Sequence, residues 1–255
     1  MNRPSLLVLL AATAASMSVA RGGDLVPNPV LFSGTATPSS GNVVVVGDID
    51  ISVKLHDGEL EFEIHDEDND VEYEPNEGAF YVAPNAAFVR PAGSIFNFIG
   101  VPAGTEFSLL PATVNPDLPY LGWSTEEIAP GTLATPVRIN LLEVAGGGDR
   151  SLPAPGVLSV FTVTDDGVTV HMSSFDGIDA DDFLVVPEDT HLHFNVAFSA
   201  PGLYAVTLEA SARPIDAGSP LTTTATFYFL VAPVPEPAAA GLLVAALPLL
   251  SRRRR

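Results

Sequence analysis

From residue 48 onward the chain alternates with a period of two. Ile49, Ile51, Val53 and Leu55 are separated by Asp48, Asp50, Ser52 and Lys54, and beyond His56-Asp57-Gly58 the residues Leu60, Phe62 and Ile64 are separated by Glu59, Glu61, Glu63 and His65. Successive side chains of a strand point to opposite faces, so each run has one apolar and one polar face, and the Asp-Gly between them predicts a β-hairpin. Further strand patterns occupy 79–82, 106–110, 137–144, 157–164, 168–172, 191–198, 204–212 and 222–231. Twenty-one glycines and twenty-three prolines fall mostly between these runs, and no stretch of the mature chain keeps helical spacing over three turns. Many short strands divided by turn signals predict an all-β fold, an antiparallel β-sandwich of immunoglobulin-like or jelly-roll type. Tyr204, just after Pro201-Gly202, sits where a corner tyrosine bonds back to its own chain.

The two ends break the pattern. Arg3, an apolar stretch over 6–15 and Ser18-Val19-Ala20 have the order of a secretory signal, with cleavage expected after Ala20. At the other end Pro235-Glu236-Pro237 precedes an apolar run over 238–250, Ser251 and four arginines. An apolar run followed by a basic cluster is a membrane stop signal, yet thirteen residues fall short of the roughly twenty that a relaxed spanning helix needs. Such a segment suits a transient anchor. The tail resembles the PEP-CTERM sorting signal of Gram-negative exoproteins, which implies transient engagement of the secretion machinery and an exosortase that cuts near Pro-Glu-Pro. It further implies a protein held at the cell envelope, on the outer surface or in an extracellular matrix, where exopolysaccharide is a partner. The expected domains are a signal helix over 1–20, a sandwich over 28–232 and a sorting tail with a short apolar helix over 234–255, membrane contact being confined to the tail before processing.

Charge narrows the partners. With Arg3 and Arg252 to Arg255 in the removable ends, six basic residues remain against thirty-one acidic ones, a net charge of −25. That surface repels nucleic acid and anionic lipid and attracts cations, while keeping an exported domain soluble. Cysteine is absent, which removes disulfides, thiolate metal sites and a cysteine nucleophile. The sequence also lacks a Gly-x-Ser-x-Gly elbow, a His-Glu-x-x-His helix and a phosphate-binding glycine loop, and the expectation is a protein that is not an enzyme.

Two constellations remain. His191-x-His193, in an alternating strand, places both imidazoles on one face together with Asn195, about 6 to 7 Å apart. A third ligand from a neighbouring strand would let them clasp zinc, and His65, on the polar face of its own strand, is the best placed. The same spacing equally fits hydrogen-bonded histidines of an edge strand. Asp66-x-Asp68-x-Asp70 spaces oxygens as a calcium loop does, but Val71 stands where an EF-hand needs glycine, which leaves only a looser calcium site or a solvated acidic turn.

Stations along the whole domain resemble the choice-of-anchor M family of envelope proteins. They are Gly47-Asp48-Ile49-Asp50, Glu63-Ile64-His65-Asp66, Leu109-Leu110-Pro111, Tyr120-Leu121-Gly122-Trp123, and Thr190-His191-Leu192-His193-Phe194-Asn195-Val196-Ala197-Phe198 running into Pro201-Gly202-Leu203-Tyr204. The resemblance implies a non-enzymatic surface protein associated with zinc or manganese uptake beside an envelope metal transporter, with His65, His191 and His193 on the family's histidine stations. Asp48 stands where the family has histidine and offers oxygen in its place, and Val196 replaces its usual tryptophan. The alternative is a structural or adhesive matrix protein associated with exopolysaccharide, in which no metal has a function.

Overall fold

The computed structural model describes residues 42–44, 47–148, 150–216 and 218–233. Ala20 and Pro235, Glu236 and Pro237, with the segments they mark, lie outside the described residues. Among the described residues no helix is long and apolar enough to cross a membrane.

The predicted hairpin forms from β2 (Gly47–His56) and β3 (Glu59–Asp66), paired from Ile49 with Asp66 to His56 with Glu59. Asp57 and Gly58 turn the chain with φ of 51° and 85°, the left-handed conformations that a two-residue hairpin requires and that Asp-Gly tolerates. β1 (Asn42–Val44) precedes it; β4 (Val71–Tyr73), β5 (Gly78–Val82), β6 (Ala87–Val89), β7 (Glu106–Leu110) and β8 (Pro119–Ser124) follow. The remaining strands are β9 (Val137–Gly146), β10 (Leu152–Pro153), β11 (Leu158–Thr164), β12 (Gly167–Ser173), β13 (Phe183–Val186), β14 (His191–His193), β15 (Asn195–Phe198), β16 (Gly202–Ala212) and β17 (Leu221–Val231).

They make three sheets. One has seven strands, in the order β1-β5-β17-β16-β9-β10 with β13 also on β9; two have five strands each, β12-β11-β15-β7-β6 and β14-β8-β2-β3-β4. Most ladders are antiparallel, while β2 runs parallel to β8 and β5 parallel to β1 and β17. The two five-stranded sheets face the large one, forming a sandwich. Phe227 of β17 takes Phe62 of β3 edge-on at 5.4 Å, and Phe229 of the same strand takes Phe198 of β15 at 5.2 Å. One core therefore joins all three sheets, with Ile49, Ile51, Ile64, Phe80, Leu121, Phe198, Tyr204 and Phe227 each buried to within 1 % exposure. At about 25 cal/mol per Å² of apolar surface, this continuous core replaces the disulfides the sequence cannot form. A second cluster, Phe96, Ile99, Phe107, Leu109, Phe161 and Ala197, packs the 3-10 helix Ser94–Ile99 on the outer face of the sheet containing β11 and β15. The Tyr204 hydroxyl donates to the Ala200 carbonyl at 2.8 Å and accepts from the Ala200 N–H at 3.3 Å, closing the predicted corner.

One predicted strand is two. The segment 191–198 divides at Phe194: β14 pairs with β8, whereas β15 crosses to the other small sheet and pairs with β7 and β11. Asn195 consequently leaves the histidines, its side chain accepting from Ala112 N–H and donating to the Phe161 carbonyl. Alternation was a correct guide to strand conformation, but period two carries no mark of a change of partner.

Candidate metal centre

The polar face of the β14-β8-β2-β3-β4 sheet carries the candidate chemistry. Strand register sets one row across it: His193 opposite Gly122, Gly122 opposite Asp50, Asp50 opposite His65, and His65 opposite Glu72. On either side of this row, His191 lies opposite Ser124, and Asp48 opposite Tyr120.

Asp48, His191 and His193 each present a ligand atom within 4.8 Å of the others, and Asp50, Glu126 and His191 form an overlapping group. Asp50 is fully buried, its Oδ1 2.9 Å from His191 Nε2. The two atoms form a close ion pair, and beside them Asp48 Oδ1 and Asp50 Oδ2 are buried without a hydrogen-bond partner. Buried oxygens left without a hydrogen bond are unusual in a folded chain, because each forgoes solvation without replacement. Among the described residues no lysine or arginine pairs with either aspartate.

Gly122 makes the meeting possible. A Cβ there would stand 2.1 Å from both Asp50 Oδ1 and His191 Nε2, so the two side chains lean together across β8 over a residue that has no side chain. Beside it, His193 is held in one tautomer: its Nδ1 is 3.0 Å from the Leu121 carbonyl, which can only accept, so Nδ1 carries the proton and Nε2 the free lone pair. The Tyr120 ring stacks on His193 with centroids 3.5 Å apart and planes at 17°. Behind β14 the backbone is clamped, Thr125 N–H donating to Thr190 O and Glu188 accepting from Gly131 and Leu133 N–H groups. This fixes the segment that carries Glu126 and Glu127.

Charge follows the geometry. The Asp50 carboxylate raises the His191 imidazole above its ordinary pKa against the opposing effect of burial, with Asp48 and Glu126 adding to the pull. Burial lowers His193, and the neighbouring His191 lowers it further. Asp48 is raised by burial and then by the like charge of Asp50.

His65 does not join the group. Its Nδ1 contacts Glu67 at 2.9 Å and its Nε2 lies 3.8 Å from Asp70, which is fully exposed. The reason is the row itself: Asp50 and Gly122 separate β3 from β14, so Asp50 reaches the histidines first. The calcium-loop aspartates are likewise employed elsewhere. Asp66 accepts from the Asn69 backbone and side-chain N–H groups, Asp68 accepts from the Asp48 N–H, and Asp70 turns away at φ 53°, so the three do not gather into one ligand set.

Asp50 is the residue that sequence reasoning missed as a ligand. The sequence offered little signal for it: Gly122, which marks the close approach, lies in a segment without strand alternation.

The donor set fits a divalent transition ion. Each of the two overlapping groups combines imidazole nitrogen with carboxylate oxygen, the N and O ligands that zinc takes, and the carboxylates also suit manganese. Compared with protein-family models, characterised proteins and solved structures, the chain matches none.

Proposed function

We propose that this is an exported, non-enzymatic surface or matrix protein whose sandwich holds a zinc or manganese ion on Asp48, Asp50, His191 and His193, in connection with metal uptake. The observation that carries this reading is the pair of buried oxygens without a hydrogen-bond partner, Asp48 Oδ1 and Asp50 Oδ2, beside the Asp50–His191 contact made over Gly122. An ion there would replace a missing positive charge, and the Leu121 carbonyl already orients His193 to donate from Nε2. The PEP-CTERM-like tail over 234–255 supports export and release from the membrane, and the resemblance to choice-of-anchor M proteins supports the link with metal supply.

Calorimetric titration of the purified chain with zinc and with manganese tests the reading. One ion per chain is expected, with binding weakened at least about a hundredfold, or about 2.7 kcal/mol, in the His191→Ala/His193→Ala variant. Equal heats from the wild type and the variant would remove the metal and leave the sandwich as a structural spacer.

A further inference from the structure

Aspartate is followed by glycine three times in the chain, at 57–58, 166–167 and 176–177. Each such step carries a latent reaction, because the backbone nitrogen of a glycine, unscreened by a Cβ, can reach the Cγ of the aspartate before it. Exposure does not separate the three, since all three aspartates are exposed. Backbone pairing does. Asp57 and Gly58 are enclosed by the pair His56 and Glu59 of the β2–β3 ladder, and Gly167 is itself paired with Thr164 in the ladder of β11 and β12. Asp176 and Gly177 stand outside any strand, between β12 and β13. The loop is fastened on either side of them. Ser174 N–H donates to the Leu158 carbonyl at 3.0 Å and Phe175 N–H to Ser173 Oγ at 3.2 Å; further on, Asp179 N–H donates to Asp182 Oδ2 at 2.8 Å, and Asp182 Oδ1 accepts from Ser173 N–H. Among the described residues neither the Asp176 carboxylate nor the Gly177 N–H has a hydrogen-bond partner. A Cβ at Gly177 would meet nothing within 4 Å.

We infer that Asp176-Gly177 is a site of spontaneous modification, closing to a cyclic imide and reopening to isoaspartate, and that the fold holds the two hairpin steps against the same reaction. The Gly177 nitrogen bonds to Asp176 Cγ, and the carboxyl hydroxyl leaves as water with the amide proton. Water then opens the imide on either side. Cleavage at Cγ restores aspartate, while cleavage at the former backbone carbonyl leaves the chain running through the Asp176 side chain. One water is lost and one is gained, so solvent is the sole reagent and the mass is unchanged. The ring closes only if the peptide plane between the two residues turns to bring nitrogen over Cγ. At 176–177 no hydrogen bond opposes that turn; in each hairpin it pulls on the ladder, and each backbone hydrogen bond that must open slows the reaction by a factor of up to about ten. The fastenings on either side of 176–177 keep the change within the loop. The inference is independent of the His-Asp centre, whose residues lie on other elements.

Incubation of the full chain for several weeks near neutral pH in heavy-oxygen water tests it, followed by digestion and mass spectrometry that separates isoaspartyl from aspartyl peptides. Isoaspartate carrying heavy oxygen is expected at 176, forming at least about tenfold faster than at 57 or 166. In urea, where the ladders are gone, the three rates should converge to within about threefold. Gly177→Ala, which adds a side chain beside the attacking nitrogen, should slow the reaction at 176 about tenfold and leave 57 and 166 unchanged. Equal rates at the three positions in the folded chain, a faster reaction in either hairpin, a disparity that persists in urea, or a rate at 176 unmoved by Gly177→Ala would each overturn the inference.

Discussion

Two polar groups occupy one face of one sheet, and they compensate charge in opposite ways. Around β3 and β4, Glu63 and Glu72 have a cation from the chain itself, Lys54. Around β14, β8 and β2, Asp48 and Asp50 have only histidines, whose charge depends on a proton. The first arrangement is an ion pair supplied by the chain itself, in which burial and the neighbouring Glu127 push Glu63 up to about 7 even against the pull of Lys54. The second has no fixed cation wherever its imidazoles are neutral, and in the proposed reading an ion from solution completes it. Both stand on the same pleat, so the difference comes from single residues, a lysine at 54 and a glycine at 122.

The largest test of this contrast is at Gly122. Gly122→Ala places a methyl between Asp50 and His191 and should abolish zinc binding in calorimetry, with a loss of at least about 3 kcal/mol, while far-UV circular dichroism stays that of the wild type. If zinc binds the variant normally, the glycine is not the cradle.

Next is Lys54→Met, which strands Glu63 in a site where it is 4 % exposed. Because Lys54 is itself partly exposed, the expected cost is about 2 kcal/mol in urea unfolding, below the 3–5 kcal/mol typical of a fully buried pair. Adding Glu63→Gln should recover more than half of it. A Lys54→Met protein as stable as the wild type would show that the built-in cation contributes nothing to the fold.

A smaller effect is expected at Tyr120. Loss of the stacked ring in Tyr120→Ala frees His193 to turn, and zinc affinity should fall about fivefold, near 1 kcal/mol. An unchanged affinity would leave the Leu121 carbonyl as the sole orienting contact.

The smallest effect is in pH. In the cation-free protein His191 has a raised folded pKa, so its contribution to stability is full below its unfolded value, about 6.5, and is lost as pH rises through the folded value. Melting temperature should therefore decline from pH 6 to pH 8.5 in the wild type, and less so in His191→Gln. Zinc competes with that proton, so the stabilisation it gives should grow over the same interval. A melting temperature indifferent to pH in both proteins would dissociate His191 from Asp50.

The hairpin over β2 and β3 was legible because alternation and the Asp-Gly turn are local properties. So was the corner at Tyr204. The association of Asp48 with His191 and His193 was implied by the family resemblance alone, since pattern could not give the register of three strands and β8, which joins them, has too little alternation in Pro119-Tyr120-Leu121-Gly122-Trp123-Ser124 to be read as a strand. Asp50 read as a solvent-facing residue for the same reason that Lys54 did: both lie on the polar face. Only pairing with Gly122 on one side and His65 on the other shows that the first is enclosed and the second open. The distant choice of Asp50 over His65 was beyond any period-based reading, because it depends on which strand intervenes.

The crossing at Phe194 has a mechanical consequence. β14 carries both histidines, and one residue later the chain enters a different sheet, so the centre sits at the joint between the two small sheets. β14 pairs with β8 over only three residues, His191 with Ser124, Leu192 with Trp123 and His193 with Gly122. An ion gripping β14 and β2 together would act as a rivet across that joint, and a chain pulled from its ends would resist separation of the halves according to whether the rivet is in place.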